Sequence, residues 1–110
     1  VYKRQSLGRL GIDRRLKIYD KPRNWQILDA LRTVASRHDA RPAQVALAWV
    51  LAQPGVTSVI VGARHAGQLA ESVQAARLVL SSEDLNALSK ASRVPMGYPY
   101  DFLRRASGGW

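Results

Sequence analysis

The sequence predicts an α/β fold that is mostly helical, with one buried strand near 57–61. Three observations carry this expectation. Apolar residues after Asn24, after Ala66 and after Ser82 recur with helical spacing. Val45–Leu51 is apolar without a break, as a helix covered on every side would be. Thr57–Val61 is a short β-branched run whose end shows no polar alternation, the pattern of a strand covered on both faces in a parallel sheet or barrel.

Taken in order, Val1-Tyr2-Lys3-Arg4-Gln5 matches the translation of a transposon adapter used in DNA sequencing libraries (GTG TAT AAG AGA CAG), so residues 1–5 are read as an adapter artefact and left out of the fold. Residues 6–23 are polar and punctuated by Gly8, Gly11 and Pro22, which predicts a loop with at most a helical turn. From Asn24, an acceptable N-cap, Ile27, Leu28, Leu31, Val34 and Ala35 form one helical stripe that ends near Arg37. Pro42 suits the first position of a second helix, which Pro54-Gly55 ends. Gly62 breaks the strand. A third helix is expected from about Ala66 to Ala76, with Leu69, Val73 and Ala76 inward. Ser81 and Asp84 have capping-box spacing and open a fourth, with Leu85, Leu88 and either Ala91 or Ser92 inside. The tail from Val94 to Trp110, with Pro95, Gly97 and Pro99, reads as irregular. No internal repeat is present.

A lone buried strand is a physical difficulty, because its N–H and C=O groups need neighbours on both edges. The chain offers no second strand, so the missing ones are expected elsewhere and the 110 residues are read as part of a larger domain.

Bulk properties exclude several classes. At 46% hydrophobic residues the chain is not disordered in type. No run approaches the ~20 apolar residues of a membrane span. The first residues lack the apolar stretch of a signal peptide, and without cysteine there is neither a disulfide framework nor a thiolate metal site. A cytoplasmic protein with no membrane partner and no metal is expected. The net charge of +9 raises nucleic acid as a partner. The charges are scattered, mostly arginine, with adjacent pairs beyond the first five residues only at Arg14-Arg15 and Arg104-Arg105. A helix-turn-helix would make 42–53 the reading helix, yet only Gln44 and Gln53 there could reach base edges beside Val45, Leu47, Trp49 and Val50. No nucleic-acid partner is therefore expected.

The chemistry concentrates in Val59-Ile60-Val61-Gly62-Ala63-Arg64-His65-Ala66-Gly67-Gln68-Leu69-Ala70-Glu71-Ser72, a strand, a glycine turn and a helix start. Gly62 permits close approach to the backbone. The free N–H groups of the following helix favour an anion, and the Arg64 guanidinium fits a phosphate. Gln68, Glu71 and Ser72 share one helix face by their spacing. Together these residues could hold a phosphate beside a base edge. Spacing alone favours an ordinary αβα turn with solvated polar residues over a nucleotide site.

Pro42-Ala43-Gln44-Val45-Ala46-Leu47-Ala48-Trp49-Val50-Leu51, then Val59-Ile60-Val61-Gly62-Ala63-Arg64, then Gln68-Leu69-x-Glu71 resemble the C-terminal region of the aldo-keto reductases, three blocks agreeing in order and distance. The likeness runs from about residue 6 to 103 and includes Tyr98-Pro99-Tyr100-Asp101-Phe102-Leu103 in the tail. The resemblance implies the C-terminal fragment of a (β/α)8 TIM barrel, with 57–61 as its eighth strand and a site for NADPH, NADH being the alternative. This agrees with the usual place of phosphate sites in such barrels. It implies cofactor-binding roles for Gly62, Ala63, Arg64, Gln68, Glu71 and Ser72, with Arg64 and Gln68 at the adenosine 2′-phosphate and adenine, and Glu71 at the adenine amine. Ser72 stands where the family usually has Asn.

The family's catalytic Asp, Tyr, Lys and His have no counterparts here, so no catalytic residue is assigned and the chain alone is expected to be inactive. Tyr19, Tyr98 and Tyr100 are not in the context of a proton donor. His38 is expected to cap or follow a helix end, where a cation is favoured, and His65 to be a solvated loop residue or to border the phosphate. The resemblance implies a parent oxidoreductase reducing a small carbonyl substrate. A nucleotide-binding subunit of the same fold without catalysis is the alternative.

Overall fold

A computed structural model describes residues 19–108; the adapter reading of residues 1–5, most of the loop expected over 6–23, and the last two residues of the tail lie outside them. Five α-helices follow in order: α1 (Pro22–Arg37), α2 (Pro42–Leu51), α3 (Ala66–Gln74), α4 (Ser82–Ser92) and α5 (Tyr100–Ala106), with a 3₁₀ turn, Ala75–Arg77, extending α3.

Helix α1 begins two residues before the expected Asn24 cap. Lys21 is the N-cap in extended backbone and Pro22 takes the first turn, where its missing N–H costs nothing. Asn24 instead donates to the Tyr19 carbonyl at 2.7 Å. The helix ends at the C-cap His38, followed by Asp39 at φ 49°, and the Ala40 N–H reaches back to the Ala35 carbonyl at 3.0 Å. That is the six-to-one closure in which a short polar residue tolerates the left-handed position.

Helix α2 starts at Pro42 as expected, and the chain leaves it through a turn in which Val56 N–H bonds the Gln53 carbonyl at 3.2 Å. Pro54 and Gly55, the latter at φ 82°, occupy the two central positions of a type II turn, which requires that sign of φ. The helix is less enclosed than its sequence implied. Val45 and Ala48 are buried, while Ala46, Leu47, Trp49, Val50 and Leu51 are only half-buried.

The expected buried strand does not form. No strand is present among the described residues, 57–61 have no regular structure, and Ile60 is 99% exposed. The physical reason is the one raised by the sequence: an extended segment without a neighbour has no ladder to join and no layer to cover it.

Helix α3 and its 3₁₀ extension match the expected third helix, but the inward stripe is different. Leu69 and Val73 are exposed, and Ala75 is the buried residue. Helix α4 begins where expected, the Ser81 hydroxyl accepting the Asp84 N–H at 3.1 Å, with Leu88 buried and Leu85 half-buried. The tail, expected to be irregular, carries α5, although none of its residues is buried.

The core gathers Val34 and Ala35 of α1, Val45 and Ala48 of α2, and Leu80 and Leu88 around α4, with Leu31, Trp49, Leu78 and Leu85 packed at its edge. Helices α1 and α4 run antiparallel. Arg23 in the first turn of α1 donates to the carbonyls of Ser92, at 3.1 Å, and Arg93 at the end of α4. A cation at that position also complements the helix dipole. Trp49 Nε1 bonds Ser89 Oγ at 3.1 Å and ties α2 to the same helix.

Candidate functional site

The segment singled out by the sequence forms the exposed entry to α3. Gly62, Ala63 and Arg64 are all exposed. Gly62 has open space where a side chain would stand and no left-handed φ, so the chain's own packing does not require glycine there. His65 is the N-cap of α3, its Nδ1 accepting the Gln68 N–H at 3.1 Å. That bond needs an unprotonated Nδ1, hence the tautomer with its proton on Nε2. The solvated-loop expectation for His65 omitted this capping role.

Gln68 reaches back over the cap, its Oε1 accepting the Arg64 N–H at 2.8 Å. The amide's Nε2 keeps its two donors pointing away from that bond. Leu69 N–H is the first to turn to the His65 carbonyl, at 3.2 Å. The N–H groups of Ala66 and Gly67 therefore have no hydrogen-bond partner among the described residues, and they lie beside the Arg64 side chain in sequence and at the positive end of the helix.

Further along the face, Ser72 Oγ donates to the Gln68 carbonyl at 3.0 Å, which spends its hydrogen and leaves it as an acceptor. Glu71 lies 3.3 Å, Oε1 to Nη2, from Arg41, the N-cap of α2. Gln44 joins the same junction: its Oε1 accepts the Arg41 N–H at 2.9 Å, and its Nε2 donates to the Glu71 carbonyl at 2.9 Å and to Gln74 Oε1 at 3.1 Å. All six sequence-derived residues thus share the 62–72 segment, and Gln68 bonds the Arg64 N–H through its side chain and the Ser72 hydroxyl through its carbonyl. Arg41 and Gln44 were not among the candidates. Nothing local marks them, because their partners lie about thirty residues away in the chain.

Asp84 is the one buried charged residue among those described, 3% exposed. Its carboxylate accepts from His38 Nε2 at 2.7 Å and Arg37 Nη1 at 2.9 Å. The His38 hydrogen bond, with those from Ser81 and Arg37 adding to it against the opposing effect of burial, lowers its pKa to about 2. His38 does stand at a helix end, and the reason is this carboxylate. The described residues include no group of three His, Cys, Asp or Glu able to hold a metal ion, and no helix among them is long and apolar enough to cross a membrane.

A model of the aldo/keto reductase family matches residues 3–93. The chain belongs to the aldo/keto reductase family. Among its relatives, an uncharacterized oxidoreductase of Mycobacterium tuberculosis is 46% identical over 68 residues, covering 62% of this chain and 21% of that protein. An aldo-keto reductase of Strobilurus tenacellus is 33% identical over 95 residues, 84% of this chain and 26% of the relative. An L-glyceraldehyde 3-phosphate reductase of Escherichia coli is 44% identical over 63 residues, 56% of this chain and 18% of the relative. The chain thus matches 18–26% of the length of these aldo/keto reductase relatives. Membership in the family implies a (β/α)8 barrel for the whole, and the mostly helical arrangement of the described residues is consistent with a part of one.

Proposed function

We propose that this chain is the cofactor-holding C-terminal portion of an NADPH-dependent aldo-keto reductase that reduces carbonyl substrates. The observation that carries the proposal is the entry to α3: Ala66 and Gly67 N–H groups, without a hydrogen-bond partner among the described residues, stand next to exposed Arg64, with the Gln68 amide folded over the cap. These groups fit a phosphate. They offer backbone donors at a helix N-terminus, a guanidinium, and the Nε2 donors of Gln68. Beyond them, the acceptor-only hydroxyl of Ser72 and the Glu71 carboxylate suit an amino group on a base edge.

NADPH, when bound, supplies the hydride that reduces the carbonyl. The role of this chain's residues is to bind and orient. Arg64 holds the 2′-phosphate, Gln68 fixes the entry loop and donates to the same group, and Glu71 and Ser72 face the adenine. The described residues include no positioned proton donor, so by itself the chain is expected to reduce no aldehyde. The whole protein is an enzyme acting on a small carbonyl compound, with a cytoplasmic place and no nucleic-acid or membrane partner.

The test is cofactor selectivity in the whole protein containing this chain. Arg64→Ala removes a charge-assisted bond worth roughly 1.5–3 kcal/mol, so NADPH binding weakens by about tenfold or more while NADH binding changes little. Equal losses for both cofactors would place Arg64 away from the 2′-phosphate.

A further inference from the structure

We propose that Arg41 and Gln44 are positioning residues for the adenine end of the cofactor, holding Glu71 so that one of its carboxylate oxygens is set for an amino donor. The proposal rests on the reading of α3 as the nucleotide-binding helix and adds residues of α2 to it.

Gln44 places every polar atom of its side chain at the junction of α2 and α3. Its Oε1 takes the Arg41 N–H at 2.9 Å, and its Nε2 serves the Glu71 carbonyl at 2.9 Å and Gln74 Oε1 at 3.1 Å. The Glu71 carbonyl needs this donor. Where α3 tightens into the 3₁₀ turn, the Ala75 N–H bonds Ser72 O and Val73 O and not the carbonyl four residues back. Gln44 therefore fixes the backbone at Glu71.

Arg41 fixes its side chain. Arg41 Nη2 lies 3.3 Å from Glu71 Oε1, and the two side chains are 70% and 45% exposed. An ion pair this open to water adds little stability, so its consequence is geometric and electrostatic. Oε1 is engaged while no bond to Oε2 is present among the described residues, and the positive charge offsets a carboxylate that would otherwise repel the phosphates bound one or two helical turns away. An ionised carboxylate oxygen only accepts hydrogen bonds. Held in this way it favours a base presenting an amine, adenine, over one presenting a carbonyl, hypoxanthine.

The experiment measures binding by calorimetry to the whole protein containing this chain. The probes are adenosine 2′,5′-bisphosphate, its hypoxanthine counterpart, and reduced nicotinamide mononucleotide, which lacks the adenosine. Arg41→Ala and Gln44→Ala are each expected to weaken the adenosine compound by roughly two- to fivefold, to narrow its advantage over the hypoxanthine compound, and to leave the mononucleotide unchanged. Arg41→Lys, which keeps the charge, restores most of the advantage. An unchanged adenine preference in Arg41→Ala overturns the proposal, as does a parallel loss for the mononucleotide, which would mark a structural role only. If Arg64→Ala also leaves the adenosine compound unaffected, the nucleotide reading of α3 itself fails and Arg41 and Gln44 lose their role with it. If Arg64→Ala weakens binding but Arg41→Ala does not, only the positioning proposal fails.

Discussion

His38 Nε2 lies 2.7 Å from Asp84 Oδ2, joining the C-cap of α1 to the first turn of α4 across 46 residues of sequence. Arg37 reaches the other carboxylate oxygen at 2.9 Å. At the opposite ends of the same two helices Arg23 covers the last carbonyls of α4. The antiparallel pair is therefore held by polar contacts at both ends, with Val34, Ala35 and Leu88 packed between them. Each contact also satisfies a helix terminus: the carboxylate sits at the positive end of α4 and the guanidinium at its negative end.

Removing the carboxylate should be costly. Asp84→Ala leaves the His38 N–H and the inner face of Arg37 without their acceptor, and a bond to a charged group of this kind is worth roughly 1.5–3 kcal/mol. Because Arg37 is half in solvent, its share is discounted, and the expected loss is about 2–3 kcal/mol. Urea unfolding of the variant beside Glu83→Ala, an exposed neighbour expected within about 0.5 kcal/mol of the parent, checks it. Equal midpoints for the two variants would show that the latch is dispensable.

The same carboxylate gives the fold an acid limit. The His38 hydrogen bond, then those of Ser81 and Arg37, lower the Asp84 pKa from 3.8 to about 2. A depressed carboxylate stabilises the fold fully above its unfolded value, and that contribution is lost as pH falls from there through the folded value. At 1.36 kcal/mol per unit the amount is on the order of 2 kcal/mol. The stability difference between the parent and Asp84→Asn should accordingly shrink between about pH 5 and pH 2. A difference that stays constant through that window would remove Asp84 as its source.

Local signals in the sequence located the helices well, because Pro42, Ser81 and the spacing of Val34, Ala35, Leu85 and Leu88 act within one or two turns. The candidate binding residues were legible for the same reason: Arg64, Gln68, Glu71 and Ser72 occupy one continuous segment. What escaped depends on partners far along the chain. Asp84 reads locally as an exposed capping residue, and only the return of α1 buries it. Arg41 and Gln44 are unremarkable until α3 lies against them. The strand at 57–61 failed in the reverse direction, since Val59, Ile60 and Val61 carry the composition of a covered strand but no neighbouring strand exists among the described residues to pair with it. Helix α5 was hidden by the glycines and prolines on either side of it.

Two glycines should respond oppositely to alanine. Gly55 stands at φ 82° with nothing within 4 Å of an added Cβ, so Gly55→Ala meets only the backbone cost, roughly 1 kcal/mol. Gly67 lies within α3, where an added Cβ would come 3.3 Å from His65 Nδ1. The His65 ring is exposed and free to yield by a few tenths of an ångström, so the gain in helix propensity, about 1 kcal/mol at most, should prevail and leave Gly67→Ala neutral or slightly stabilised. Thermal melts of both variants decide. A destabilised Gly67→Ala would mean that the His65 cap is held rigidly and contributes more than the propensity gain.

The last expectation concerns the 110-residue chain expressed by itself. Among the described residues the buried apolar set, Val34, Ala35, Val45, Ala48, Ala75, Leu80 and Leu88, includes three alanines and covers few large side chains. Meanwhile Ile60 is 99% and Val79 83% exposed, and Leu69 and Val73 open the outer face of α3 to water. Burying a valine or isoleucine side chain is worth roughly 1.5–3 kcal/mol, so these residues forgo a stabilisation comparable to the whole margin of a small domain. The segment 57–61 also leaves its backbone N–H and C=O groups available to another extended chain, which favours association through strand pairing. The isolated chain should therefore bind a hydrophobic dye, show helical far-ultraviolet circular dichroism, and unfold over a broad temperature range or aggregate as it does so. A sharp, cooperative transition in a monodisperse monomer that binds no dye would show instead that α1, α2 and α4 alone form a self-sufficient core.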